Sequence, residues 1–126
     1  MMRNQLVTKI EQRRKQLKIS LENLSKLSNL GMRTLNRFLA GDDVKLSTVE
    51  SITNILGLDF AGNEVVPLIQ LQKNRAYQKA QFMASLVQST SALEMQGLEK
   101  EIVEKMIAGF EQAFLSGEYK KRLWVA

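Results

Sequence analysis

A chain of 126 residues, 44% of them hydrophobic, can bury the core of one small domain and carry an appended helical segment. Its formal net charge of +5 favours a polyanionic partner. The absence of cysteine and histidine excludes disulfides and thiolate zinc sites and removes the commonest general base, so we expect no metal, no cofactor and no enzymatic activity. No apolar run approaches the length of a membrane span, which predicts a cytoplasmic protein that does not enter a membrane.

The first two predicted elements are helices, because apolar residues recur at helical spacing and no sustained strand-like alternation occurs. The first helix is predicted over 3–17. Ser20 is a favourable N-cap for the second. That helix is predicted to end near Ser28, because Asn29 tolerates the left-handed conformation that often follows a helix.

A third helix is predicted over 32–40, ended by Gly41, and a fourth begins at the sequence "STVE". These four residues, 47–50, have the pattern of a capping box, and Gly57 is predicted to end the fourth helix. Between the two helices, Asp42 and Asp43 predict a solvated loop.

The predicted third helix has two different faces. Leu35 and Phe38 fall on an apolar face, whereas Arg33, Asn36 and Arg37 fall together on the opposite one. Two short helices separated by "NLG", the second with a basic outer face, are typical of a helix-turn-helix, whose second helix enters the DNA major groove.

These features resemble the Cro/C1-type helix-turn-helix proteins, also called the XRE family, over residues 5–60, through "IEQRRKQLKISLENLSKLSNLGMRTLNRFLAG" and "LSTVESITNILGLDF". The resemblance implies an all-α fold with a five-helix, lambda-repressor-like domain at residues 1–62, usually acting as a dimer. It implies that Met32, Arg33 and Arg37 contact base edges. The residues expected to contact the DNA backbone or flanking positions are Arg13, Arg14, Lys15, Ser20, Thr34, Asn36 and Lys45.

The sequence departs from the family pattern at three positions. Leu21 stands where glutamine commonly contacts a phosphate, and Gly31 stands where serine or threonine usually caps the third helix. Leu39 stands where a glutamate often pairs with an arginine of the first helix, here Arg14. Arg14 is therefore expected to turn toward phosphate.

Residues 63–126 are predicted to form a C-terminal helical hairpin. The sequence "AGNEVV" is predicted to be a linker, and Pro67 suits the first position of a long helix ending near Gln88. Ser91 and Glu94 have the spacing of a capping box over a short helical turn ended by Gly97. A last helix is predicted over 98–116.

The apolar stripes of this hairpin need a second surface, and the sequence leaves three possibilities open. They can pack on the first domain of the same chain, on a second copy, or on a different protein such as a toxin. The sequence also leaves three roles for the tail at 120–124: an arm that contacts DNA, a hydrophobic latch on a partner, or an ordered end. The residues expected at a dimer or partner interface are Met83, Val87, Ile102, Met106, Phe110, Phe114 and Trp124.

We therefore expect a sequence-specific regulator of transcription that binds double-stranded DNA, as a dimeric repressor of a pseudo-palindromic operator. The alternative is an antitoxin that binds a toxin through its C-terminal helices and autoregulates its operon. The charge distribution agrees with DNA binding, since residues 1–62 carry a net charge of +4 and residues 63–126 a net charge of +1.

Overall fold

The computed structural model describes residues 3–93 and 99–126. Within these ranges the secondary structure is helical, apart from one isolated β-bridge between Leu58 and Glu64. The predicted all-α class is confirmed. None of the helices in the described ranges has both the length and the apolarity needed to cross a membrane. In chain order the elements are α1 (Arg3–Leu17), α2 (Leu21–Leu27), α3 (Met32–Leu39), α4 (Leu46–Leu56), α5 (Leu68–Leu93), α6 (Lys100–Ser116) and a single 3-10 turn (Lys120–Arg122).

The first compact unit contains α1 to α4 and the first turn of α5, up to Leu71. In it α1 packs against α4, and α2 packs against both α3 and α4. Burying a large apolar side chain contributes about 1.5–3 kcal/mol, and each of the four helices supplies at least one. Because these side chains come from every helix, the core fixes which face of α3 meets solvent. The fully buried ones are Ile10, Leu24, Leu35, Phe38, Ile52 and Leu56.

The ends of these helices follow the predicted signals with one exception. Ser20 caps α2, its Oγ accepting a hydrogen bond from the Asn23 N–H at 3.1 Å. Gly57 ends α4 in the left-handed conformation, at φ 68°. The predicted capping box at 47–50 is wrong, because α4 already begins at Leu46 and Ser47 lies inside its first turn.

The segment after α4 is a structured turn rather than the predicted linker. The Asp59 carboxylate accepts hydrogen bonds from the backbone N–H groups of Ala61 and Asn63, both at 2.9 Å. These backbone donors, that of Asn63 first, lower the pKa of the Asp59 carboxyl. The division between the two compact units falls between Leu71 and Gln72, later than the predicted boundary at residue 62.

The second unit comprises Gln72–Val125, and its first helix is longer than predicted. Helix α5 continues through Leu93, so Ser91 lies within it and does not cap a new helix. The rest of the predicted capping box and short turn, at 94–97, and the predicted helix start at 98 lie outside the described residues. Helix α6 begins after Glu99 and ends at Ser116.

The C-terminal tail packs against α5 inside this second unit. The Arg75 Nε–H donates to the Leu123 carbonyl at 3.0 Å, and the Lys79 ammonium donates to the Arg122 carbonyl at 2.8 Å. Trp124 is only 8% exposed. Of the three possibilities for the tail, the structure therefore shows an ordered end held by its own chain.

Two predicted interface residues prove to be core residues of this unit. Phe114 is 4% exposed and lies beneath the Lys79 ammonium, 5.5 Å from its ring centre. Trp124 is buried with it in the same unit. The prediction that these two side chains present a free surface to a partner is wrong, because the chain itself covers them.

Candidate nucleic-acid interface

The face of α3 opposite the core is exposed. Leu35 and Phe38 are both fully buried at helical spacing, so α3 cannot rotate about its axis without exposing a large apolar side chain. Thr34 is half-buried at the edge of the exposed face. The predicted contact residues exposed on α3 are Met32, Arg33, Asn36 and Arg37.

A surface groove of about 630 Å³ runs beside α3. Its walls are α3, the loop that follows it and the start of α4, and it brings together three residues that the sequence predicted separately as DNA contacts, Thr34, Arg37 and Lys45. No periodic pattern in the sequence marks the rest of the wall, because most of it lies in a loop or at a helix start. The lining residues are Leu30, Thr34, Arg37, Asp43, Val44, Lys45 and Thr48.

Asp42, an acidic residue to which the sequence assigned no partner, lies next to Arg37. The Arg37 Nε is 3.6 Å from Oδ2 of Asp42, although both side chains are more than half exposed. Asp42 thus lies in the solvated loop that was predicted and also pairs with Arg37. The sequence does show a carboxylate three residues after the end of α3, but the pairing of this carboxylate with Arg37 depends on the path of the chain through Gly41.

Arg13 does not reach toward DNA. Its side chain is 7% exposed and all its guanidinium nitrogens donate hydrogen bonds: Nε to the Leu56 carbonyl at 2.9 Å, and Nη1 to Glu64 Oε1 at 2.6 Å. Nη2 donates to the Val66 carbonyl. The prediction of a phosphate contact from Arg13 is wrong, because this arginine joins α1 to the end of α4 and the segment that follows.

Arg14 is also occupied within the first unit. Its Nε and Nη2 donate to the two carboxylate oxygens of Glu11 at 2.9 and 2.8 Å, and its Nη1 donates to the Ile19 carbonyl at 2.8 Å. The hydrogen bond from Arg14 lowers the pKa of the Glu11 carboxyl. Glu11 therefore supplies the ion-pair partner that Leu39 does not, and the prediction that Arg14 turns to phosphate is wrong.

The remaining predicted backbone contacts are accessible. Lys15 and Lys45 are exposed, and so is Ser20, although its hydroxyl oxygen already caps α2. Phosphate contacts from these three residues stay predictions. In the part of the chain that the structure describes, no group of acidic, histidine or cysteine side chains could hold a metal ion.

The part of the chain that contains α3 and the groove beside it matches a known protein family. Residues 10–63 match the family model described as "Helix-turn-helix". The matched range includes the second half of α1 and the whole of α2, α3 and α4, so it contains both the exposed face of α3 and the groove beside it. No curated protein and no solved structure matches the chain.

Proposed function

From the premise that residues 10–63 are a helix-turn-helix domain of the Cro/C1 type, we propose that this DNA-binding regulator of transcription is a dimeric repressor that binds a pseudo-palindromic operator through α3. The observation that carries the proposal is that α3 has a buried apolar face and, on its opposite side, an exposed basic face. Leu35 and Phe38 are fully buried, while Arg33 and Arg37 project from the other side. A helix held in this way presents its polar face as a unit to the major groove.

Arg33 and Arg37 are the proposed base contacts, together with Met32. They are four residues apart, about one helical turn, so their side chains leave the same face of α3. A guanidinium can donate two parallel hydrogen bonds to O6 and N7 of guanine, which is worth about 1–3 kcal/mol of discrimination per pair. We therefore propose an operator with guanine in each half-site.

Contacts to the DNA backbone come, in this proposal, from residues around the reading face. Lys15 and Lys45 supply exposed charges, and Lys45 also lines the groove beside α3. Ser20, Thr34 and Asn36 supply polar groups for phosphates or flanking positions. Such contacts set the register and the salt dependence of binding without specifying sequence.

Dimerisation is proposed through the second unit. Val87 and Ile102, both predicted there, are 38% and 47% exposed, and Phe82 and Leu86, which the sequence analysis missed, are 64% and 50% exposed. Exposed apolar side chains of this number favour a protein partner. A second copy is the partner proposed, because a two-fold dimer matches the two half-sites of a palindromic operator. The other predicted interface residues, Met83, Met106 and Phe110, are half-buried.

The same exposed residues also favour the second candidate function, an antitoxin whose second unit binds a toxin while the first autoregulates its operon. The two candidates differ in what covers Val87 and Ile102. Light scattering on the full chain distinguishes the two candidates. A monomer would leave these side chains exposed and would favour the antitoxin.

Selection of duplexes from a random library by the full chain tests the proposal. We expect enrichment of a two-fold symmetric site whose half-sites are centred about 10 base pairs apart, or a multiple of that spacing. Val87→Lys combined with Ile102→Lys should leave only single half-sites enriched. The matched control is Val65→Lys, which changes an apolar residue 64% exposed in the first unit and should keep the symmetric site. Enrichment of no sequence by the unmodified chain would reject the proposed function.

A further inference from the structure

We propose that Asp42 is a specificity-determining residue, which holds the guanidinium of Arg37 so that its two terminal nitrogens meet guanine. The inference rests on the proposed function, because it assigns a partner to one of the two arginines proposed to contact bases. Asp42 itself need not touch DNA in this arrangement. It acts on sequence preference through the orientation of Arg37.

The backbone fixes the position of Asp42 relative to Arg37. Helix α3 ends in a Schellman motif: the Gly41 N–H donates to the Phe38 carbonyl and the Asp42 N–H donates to the carbonyl of Arg37 itself, both at 3.0 Å. Gly41 adopts φ +93°, a conformation that side-chain-bearing residues rarely adopt. The chain therefore turns back over the last turn of α3 and returns a carboxylate to the side chain of Arg37.

The carboxylate of Asp42 approaches the guanidinium of Arg37 from its Nε side. Asp42 Oδ2 lies 3.6 Å from Arg37 Nε. Nη1 and Nη2 therefore remain for the parallel pair of hydrogen bonds that guanine O6 and N7 accept. Without the carboxylate, the flexible side chain of Arg37 has more rotamers available and can turn to a phosphate instead of a base.

Two interactions are unfavourable for the negative charge of Asp42. A carboxylate near the C-terminal end of a helix is destabilised by the helix dipole, and a carboxylate beside a DNA-binding face repels phosphates. Both act against a residue whose only role is to fill a loop. The ion pair with Arg37 offsets both of them. The remaining repulsion of phosphates increases sequence discrimination, because the carboxylate weakens non-specific binding to the DNA backbone more than it weakens contact with a base.

Arg33 provides an internal comparison. It lies on the same exposed face of α3, but no carboxylate of the described residues is within ion-pair distance of it. Loss of Asp42 should therefore relax preference at the base pair that depends on Arg37 and leave the one that depends on Arg33 unchanged.

The test is a double-mutant cycle in the full chain with Asp42→Ala, Arg37→Ala and the double variant. The probes are the duplex selected by the unmodified chain and duplexes with each base pair substituted in turn. We expect Asp42→Ala to lower discrimination at the Arg37-dependent base pair about tenfold and to raise affinity for non-cognate duplex at low salt. In the Arg37→Ala background the same substitution should change discrimination less than twofold. Glu50→Gln, which removes the same charge from an exposed site on α4, should not change discrimination.

Two results would overturn the role of Asp42 while leaving the proposed function in place. One is unchanged discrimination at every base pair in Asp42→Ala, and the other is an equal loss with and without Arg37. An unmodified chain that binds all duplexes alike would instead reject the proposed function together with this inference. Circular dichroism of each variant distinguishes these results from a loss of folding.

Discussion

At the scale of single residues, the end of α4 depends on one glycine. Gly57 has φ +68°, and a Cβ at this position would lie 3.1 Å from Cβ of Val66. Both the left-handed backbone and the close approach disfavour a larger residue. Gly31, at the start of α3, is different, because its φ is −70° and a Cβ there would meet nothing within 4 Å.

We predict that Gly57→Ala lowers the free energy of unfolding by about 1–3 kcal/mol, since alanine is strained in the left-handed region and must also displace Val66. Urea denaturation of the full chain measures it. The control, Gly31→Ser, should leave stability unchanged or raise it by a few tenths of a kcal/mol, because serine can cap α3. Equal stability of Gly57→Ala and the unmodified chain would mean that the end of α4 is not as described.

At the scale of elements, Arg13 joins three parts of the first unit. Its guanidinium donates to the Leu56 carbonyl at the end of α4 and to Glu64 and the Val66 carbonyl in the following segment. Removing a buried donor leaves its acceptors unpaired, which costs more than the net contribution of the hydrogen bonds themselves. The side chain that was expected to contact phosphate therefore positions the helices that present α3.

Arg13→Met, which keeps an unbranched apolar side chain but removes all the donors, should lower the free energy of unfolding by about 2–4 kcal/mol. Lys15→Met, two positions along the same helix but exposed, should change stability by less than about 0.5 kcal/mol. Urea denaturation measures both. A phosphate contact would give the opposite pattern for Arg13→Met: unchanged stability and a salt slope of DNA binding reduced by about one.

The sequence predicted local features of these elements well and long-range partners poorly. Ser20, Gly41 and Gly57 mark helix ends through interactions within a few residues, and the structure confirms their positions. Arg13 was assigned wrongly because the residues next to it in the sequence do not distinguish a buried arginine from an exposed one. Arg14 is an exception to this pattern, since its partners Glu11 and Ile19 lie only three and five residues away. The partners of Arg13 are 43 to 53 residues away along the chain, so only the folded arrangement could identify them.

At the scale of the whole molecule, positive charge is concentrated in the part that contains the helix-turn-helix. Residues 1–62 contain ten basic and six acidic side chains, whereas residues 63–126 contain eight and seven. Because Arg13 and Arg14 are engaged internally, the proposed interaction with DNA depends on exposed side chains such as Arg33, Arg37 and Lys45. The central claim is therefore that base preference comes from α3 and salt dependence from the residues around it.

The most direct test of this claim is a titration of the full chain and three variants against DNA from its own promoter at several salt concentrations. Arg33→Ala and Arg37→Ala should each weaken specific binding by about 1–3 kcal/mol and relax base preference, whereas Lys45→Ala should reduce the salt slope by about one unit and keep the preference. If both arginine variants keep the base preference of the unmodified chain at every position, α3 does not read the operator and the account is contradicted.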